Sequence, residues 1–227
     1  MADPIPNAEL MRSLGRLVRG LSAVFWGLPI TLLVSVQGAA TDFLRPMGMF
    51  PPVLGSALLF FGLLQMGHFQ KQERVWQAAL DRAKLLGLVN IGLSPFIYLW
   101  NKQPTETFFA QSVALLTLSS LLFLFSLNQV LQRLTAMLPD ETLRTETKLF
   151  TTLNRYLLLA LVALLAIYFL LTQIDSPPLL VEMLLIQLKL GRHSALLFLV
   201  LLPLAMTMTL VWKIKEVVLS SVFGQGR

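Results

Sequence analysis

Six long apolar runs alternate with short charged segments along this chain, and that alternation limits the fold more than any other feature. The runs are Leu21–Val36, Pro52–Met66, Leu85–Trp100, Phe109–Leu131, Tyr156–Leu171 and Ala195–Trp212. About 20 residues of α-helix cross the hydrocarbon core of a bilayer. Several runs are shorter, so we expect the helices to continue past the membrane. The pattern predicts an all-α polytopic transmembrane bundle of about six spans, built as three hairpins in one integral membrane domain over residues 1–227.

Composition agrees with a chain that faces lipid. Hydrophobic residues make up 56% and charged residues only 13%, whereas about a quarter of the residues in a soluble domain are charged. The chain has no Cys, which excludes disulfides and Cys-ligated metals. The basic residues flank apolar runs and form no separate domain. They predict contact with the lipid bilayer and its anionic headgroups, and neither nucleic acid nor nucleotide as a partner.

The distribution of Lys and Arg predicts the orientation. The six runs leave seven polar segments, counting both chain ends. The first, third, fifth and seventh carry three, four, four and three basic residues, and the second, fourth and sixth carry one, one and two. Basic residues concentrate in cytoplasmic loops. We therefore expect both termini in the cytoplasm, with Tyr98 and Trp100 at the outer interface and Tyr156 and Trp212 at the inner one.

The N-terminal segment has two interpretations. Arg12, Arg16 and Arg19, followed by an apolar run and Gly38-Ala39-Ala40, resemble a cleavable signal. Five further runs favour an uncleaved first span. Residues 1–20 are expected to form an interfacial helix capped by Asn7, and the alternative is that they simply begin the first span.

Three polar segments are expected to be structured outside the membrane. Residues 68–84 and 132–155 predict cytoplasmic helical extensions, the second with Asp140 as N-cap and with Leu143, Phe150 and Leu157 recurring every seven residues. Residues 174–194 form an outer loop, in which Leu179–Leu190 is either an interfacial or a re-entrant helix.

Groups that carry chemistry are scarce. The six runs contain no Asp, Glu, Lys, Arg or His at mid-membrane depth, although such groups usually mark intramembrane functional sites. His68 and His193 fall at opposite membrane boundaries and cannot share a metal. A nucleophilic serine lacks a nearby base, so we expect no enzyme, no catalytic residue and no metal site. No cofactor is predicted, and a bound lipid, quinone or pigment stays an open alternative.

Small residues at helical spacing predict close helix packing. They are Ser112, Ser119 and Ser126 on the fourth run, Ala23 and Gly27 on the first, and Gly55 and Gly62 on the second. The alternative interpretation is a polar lining for a substrate path.

Amides and prolines inside the runs are the candidates for anything beyond packing. Asn90, Ser94 and Gln111 are candidate intramembrane ligand contacts, with helix–helix bonding as the alternative. Pro29 and Pro95 are candidate hinges, and Pro95 removes a hydrogen bond from the Ile91 carbonyl.

These observations favour a non-catalytic multi-pass subunit or assembly scaffold that packs with other integral membrane proteins. The alternative is a transporter, permease or lipid-handling protein for an uncharged or amphipathic small molecule. A bacterial plasma membrane is the expected location, with a thylakoid or organelle membrane as the alternative.

Overall fold

All regular secondary structure in the described part of the chain is helical, which confirms the predicted class. The computed structural model describes residues 5–40, 45–70, 72–138, 140–172 and 200–220. Its elements are α1 (Ile5–Ala40), a 3₁₀ turn (Arg45–Met47), α2 (Phe50–Met66), α3 (Arg74–Leu93), α4 (Pro95–Lys102), α5 (Thr107–Ala136) and α6 (Glu141–Thr172). Residues 200–220 are also helical and are called the C-terminal helix below.

Four helical stretches are long and apolar enough to cross a membrane. They are Met11–Ala39, Arg74–Lys102, Thr107–Ala136 and Glu141–Ile167. The second predicted span corresponds to α2, which is apolar but shorter. Of the last predicted span, residues 195–199 lie outside the described residues, as does the whole predicted outer loop 174–194 with its interfacial or re-entrant helix.

Neighbouring helices run antiparallel and bring the charged segments to one end of the bundle. Gly20 near the start of α1 meets Gly62 near the end of α2. On α6, Glu146 pairs with Lys213 of the C-terminal helix, with 2.6 Å between carboxylate oxygen and Nζ. At the opposite end the Asn101 amide donates to the Gly38 carbonyl at 2.9 Å. The end that holds the starts of α1, α3 and α6 is called the charged end.

The first helix is continuous from residue 5 through the first predicted span. α1 runs unbroken from Ile5 to Ala40 with Pro29 inside it. Asn7 therefore lies within the helix and not at its N-cap position, which corrects the expected cap. The interfacial placement of residues 1–20 stays a prediction.

Pro95 divides the third span at the point where its missing N–H matters. α3 ends at Leu93 and α4 begins at Pro95. The Ser94 hydroxyl donates to the Ile91 carbonyl at 2.8 Å, which is the acceptor that proline leaves without its backbone partner. The break is thus satisfied locally, and Arg74–Lys102 remains one apolar stretch.

The two segments expected to extend outside the membrane are each continuous with helices that are candidate spans. Within 68–84, the α3 portion begins at Arg74, and the buried Trp76 donates its indole N–H to the Phe69 carbonyl at 3.0 Å. This bond ties the α2–α3 link to α3.

Asp140 caps α6, as predicted. Its carboxylate accepts hydrogen bonds from the Thr142 hydroxyl and the Leu143 amide, and these bonds, the hydroxyl first, lower the pKa of Asp140. The helix has 32 residues, or about 48 Å at 1.5 Å per residue. It therefore carries residues 141–155 and the fifth predicted span in one continuous helix, whereas residues 132–136 are the end of α5.

The stripe that α6 buries does not follow the seven-residue series Leu143, Phe150 and Leu157. Phe150 and Leu157 are only half-buried. The buried positions are Leu143, Thr147, Thr151, Asn154, Leu158 and Leu161. Their spacing of three and four residues is that of one helix face, and its middle is polar.

Candidate functional site

Uncharged side chains supply all the buried polar groups among the residues whose burial the structure describes. They are Ser56, Asn90, Ser94, Ser112, Ser119, Ser126, Asn128, Thr135, Thr147, Thr151, Asn154 and Thr207. Serine and threonine in a helix can donate to a carbonyl of the preceding turn, and several do so here. The amides cannot be satisfied as simply, because each has two donors and an acceptor.

Three of these side chains meet where α5, α6 and the C-terminal helix pack together. The Thr207 hydroxyl accepts hydrogen bonds from the Asn128 amide at 3.0 Å and the Asn154 amide at 2.9 Å. It donates its own proton to the Pro203 carbonyl at 2.8 Å. Asn128, Asn154 and Thr207 are called the amide cluster below. Thr207 is its hub, with donor and both acceptor positions occupied.

Neighbouring carbonyls fix the orientation of both amides. Asn128 Nδ2 lies 2.8 Å from the Leu124 carbonyl, and Asn154 Nδ2 lies 3.2 Å from the Pro203 carbonyl. A carbonyl oxygen only accepts, so the NH₂ group of each amide must face it. Both N–H groups of each amide therefore donate hydrogen bonds within the protein.

The amide oxygens are the part of the cluster that is not satisfied. Asn128 Oδ1 and Asn154 Oδ1 are buried and have no hydrogen-bond partner among the described residues. The same holds for the hydroxyl of Thr147, two turns away on the buried stripe of α6. A buried polar atom without a partner costs about 1–3 kcal/mol, so the cluster presents acceptors that favour a hydrogen-bond donor.

Charged and aromatic side chains lie near the cluster along the helices that carry it. The Arg155 guanidinium, one residue after Asn154, lies 5.8 Å above the centre of the Phe125 ring and bridges α6 and α5. Trp212 of the C-terminal helix packs on Phe25 of α1, with ring centres 5.5 Å apart. Aromatic and basic side chains of this kind are typical of the membrane–water boundary. The cluster thus lies just inside the charged end of the bundle.

A second pair of unsatisfied groups lies between α3 and α5. Asn90 Oδ1 and the Ser119 hydroxyl are buried without a partner among the described residues. A Cβ on Gly87 would lie 3.5 Å from the Phe123 ring, and the Phe96 and Phe108 rings meet edge to face with 5.7 Å between their centres. This antiparallel register places Asn90 close to the level of Ser119.

The other two predicted ligand contacts are not part of that pair. The Ser94 hydroxyl is spent on the Ile91 carbonyl. Gln111 is exposed on α5, away from the face that buries Ser112 and Ser119. Of the three predicted contacts, only Asn90 therefore offers a buried, unspent group.

The glycines of the predicted packing set lie at the contact between α1 and α2. A Cβ on Gly27 would come within 2.8 Å of the Leu59 side chain, and one on Gly62 within 2.9 Å of the Gly20 carbonyl. Gly55 faces Thr31 in the same way at 3.1 Å. Ala23 on α1 is half-buried, and the buried serine stripe Ser112, Ser119 and Ser126 is on α5. Gly20, the closest of these contacts, was missed because it lies just before the first apolar run.

Sequence reasoning missed two members of the amide cluster, Asn154 and Thr207. Thr147, Thr151 and Asn154 are spaced four and three residues apart, which is a usable helical signal. The apolar series Leu143, Phe150 and Leu157 concealed it. Asn154 and Thr207 are 53 positions apart, and the sequence carries no local sign that their side chains meet.

Known proteins add no assignment to this site. No family model, no curated protein and no solved structure matches the chain. Among the described residues, no group of three or more His, Cys, Asp or Glu side chains could hold a metal ion. The chemistry of the site must therefore be inferred from its amides, hydroxyls and surrounding charges.

Proposed function

We propose that this chain is a non-catalytic, multi-pass membrane subunit or scaffold that packs against another integral membrane protein. The observation that carries the proposal is an exposed face at the charged end of α6. Leu149, Leu153 and Tyr156 are 71%, 51% and 67% exposed there. Their spacing of four and three residues puts them on one side of the helix. This is the α6 face.

The α6 face lies where water, not lipid, is expected. The turn before it holds Arg144, Glu146 and Lys148, Arg155 lies within it, and Glu146 pairs with Lys213 at the surface. So many charges are incompatible with a hydrocarbon environment. Large apolar side chains exposed together in water mark a contact surface.

The basic side chains beside the α6 face indicate which kind of partner it would bind. Arg144, Lys148 and Arg155 lie along one side of α6 and are all exposed. They favour a partner helix with an apolar stripe and acidic side chains near its cytoplasmic end. The uncharged set of buried polar groups supports a non-catalytic role, because intramembrane enzymes and pumps use buried ionisable groups.

Photocrosslinking in the native membrane tests this proposal. A benzoylphenylalanine at Leu149 or Leu153 is expected to give one heterologous adduct of defined mass. The same group at Leu85 of α3, which is 64% exposed near the charged end, serves as the control and should not give it. Lys148→Glu should weaken the adduct. Adducts to lipid alone, to the chain itself, or equally from Leu85 would contradict the proposal.

A second candidate function is the handling of an amphipathic lipid through the membrane. The buried, unpartnered Asn90 Oδ1 and Ser119 hydroxyl favour it, since both offer hydrogen bonds inside a span, one turn from the break at Pro95. The full chain in vesicles would then accelerate the exchange of NBD-labelled phosphatidylcholine between leaflets. Asn90→Leu should abolish the acceleration and Gln111→Leu should not. Exchange equal to that of protein-free vesicles would exclude this candidate.

A further inference from the structure

The buried amide oxygens of α5 and α6 have the chemistry of a binding site. Asn128 is 4% exposed and Asn154 is 0% exposed, and the oxygen of each lacks a partner among the described residues. The NH₂ groups are held by Leu124, Pro203 and Thr207. Neither amide can turn over to satisfy its oxygen without losing two bonds.

The site selects for donors without positive charge. An amide oxygen accepts hydrogen bonds and donates none, so a carboxylate or an ether has nothing to offer it. No buried acidic side chain lies among the residues whose burial is described. A cation would therefore remain uncompensated in a poorly solvated place, which is costly. Neutral hydroxyl groups meet both conditions.

The depth of the site indicates where such hydroxyls come from. Arg155 follows Asn154 in the sequence and lies over the Phe125 ring, three residues before Asn128, so it joins α6 to α5 within one turn of both amides along the chain. On the C-terminal helix, the exposed Trp212 lies five positions from Thr207, and Lys215 lies 5.4 Å above its ring. These are boundary side chains, and the hydroxyl groups of lipids lie at the same depth.

We propose that Asn128 Oδ1 and Asn154 Oδ1 bind the headgroup hydroxyls of a neutral, hydroxylated lipid. Its headgroup would enter beside the Arg155–Phe125 contact, and its chain would follow the apolar surface of α5 and α6. The bound lipid would satisfy both oxygens and hold the C-terminal helix against α5 and α6. This site shares Arg155 with the flank of the α6 face, and it shares no residue with the Asn90–Ser119 pair.

Competitive photolabelling of the full chain in phosphatidylcholine vesicles tests the proposal. The probe is a diazirine analogue of 1-oleoylglycerol, and labelled peptides are mapped by mass spectrometry. Labelling is expected in 124–131, 151–158 and 203–211. Excess 1-oleoylglycerol should remove it, whereas methyl oleate, which has the same chain and no donor, should not.

Two amide variants and one control locate the contacts. Asn128→Leu and Asn154→Leu should each weaken the competition by 1-oleoylglycerol roughly threefold to tenfold, the range for one neutral hydrogen bond. Thr209→Val, which removes an exposed hydroxyl on the same helix as Thr207, should leave it unchanged. Should the first two variants fail to fold, the contrast between the two competitors on the unaltered chain still decides.

Three results would overturn the proposal. If methyl oleate competed as well as 1-oleoylglycerol, the lipid would only coat the helices, and its hydroxyl groups would not be recognised. If the cluster peptides carried no label, the lipid would not bind there, and water would be the partner of the two amide oxygens. Stabilisation of the chain by NaCl over choline chloride, without an effect of 1-oleoylglycerol, would indicate a cation in place of a hydroxyl.

Discussion

At the scale of single residues, Thr207 organises the contact between three helices. One hydroxyl accepts from two amides and donates to the Pro203 carbonyl. Without it, the NH₂ groups of Asn128 and Asn154 would each retain one carbonyl partner and lose the other bond. In a buried environment, the free-energy costs of the lost hydrogen bonds and of the unsatisfied N–H donors combine.

Thr207→Val removes this hub at nearly constant volume. We expect the free energy of unfolding to fall by about 2–3 kcal/mol, since two donors lose a partner. Unfolding in mixed detergent–SDS micelles measures it. Thr209→Val is the matched control, because Thr209 is exposed and donates only to the Ala205 carbonyl. The Thr209→Val variant should lose less than about 0.5 kcal/mol. Equal losses in the two variants would show that the hydrogen bonds of Thr207 to the amides do not stabilise the chain.

The residue scale also shows what sequence can and cannot give. Asn90, Ser112, Ser119 and Ser126 could be picked out because each is a polar residue inside an apolar run, and all four are buried. Whether each of these polar groups already has a hydrogen-bond partner depends on the three-dimensional contacts. Ser112 donates to the Phe108 carbonyl, whereas Asn90 Oδ1 and Ser119 have no partner in the described part of the chain.

At the scale of elements, α1 and α2 approach each other through backbone. A Cβ on Gly20 would lie 2.7 Å from the Gly62 carbonyl oxygen and 3.0 Å from the Met66 nitrogen. Backbone cannot move aside as the end of a side chain can. Such contacts drive association where lipid removes the hydrophobic force between helices.

Gly20→Ala should therefore force the α1–α2 pair apart. We expect a loss of about 1–3 kcal/mol in the free energy of unfolding, the usual cost of overpacking. Gly15→Ala on the same helix meets nothing within 4 Å and should be neutral or stabilising by about 0.5–1 kcal/mol. Unfolding in mixed micelles compares the two. A stable Gly20→Ala variant would contradict the close approach.

The cap of α6 gives a prediction in pH. Because the Thr142 hydroxyl and Leu143 amide bond the carboxylate, the pKa of Asp140 lies below its ordinary value. The cap is therefore fully present above the unfolded pKa, about 3.9, and is lost as pH falls through the lower folded value. Hydrogen exchange at the Leu143 amide, corrected for intrinsic rates, should show protection falling in that range. Asp140→Asn keeps an acceptor and should abolish the pH dependence; a titration identical to the unaltered chain would exclude Asp140.

Element boundaries could be predicted only where a local signal exists. Asp140 and Pro95 mark the start of α6 and of α4, because a cap and a missing N–H act on neighbouring residues. The fusion of residues 141–155 with the fifth predicted span also has a local signal, because apolar residues recur from the cap at Asp140 into the span with no helix break between them.

At the scale of the whole molecule, helix direction determines the distribution of charge. Alternation of apolar runs and basic segments was enough to predict a helical membrane bundle. The three-helix contact at Thr207 was not predictable, because the pairing of α5 and α6 with the C-terminal helix joins residues 53 and 79 positions apart. The side of the membrane that the charged end faces is our prediction from the basic residues, and the partner proposal depends on it.

Cysteine labelling in intact cells tests that orientation most directly, because the chain has no Cys of its own. Gln72 and Gln103 are exposed residues near the two ends of Arg74–Lys102. With both termini in the cytoplasm, Gln103→Cys should react with a membrane-impermeant maleimide in intact spheroplasts, and Gln72→Cys only after permeabilisation. Reaction of both in intact spheroplasts, or of Gln72→Cys alone, would contradict a bundle that crosses the membrane with its charged end inside.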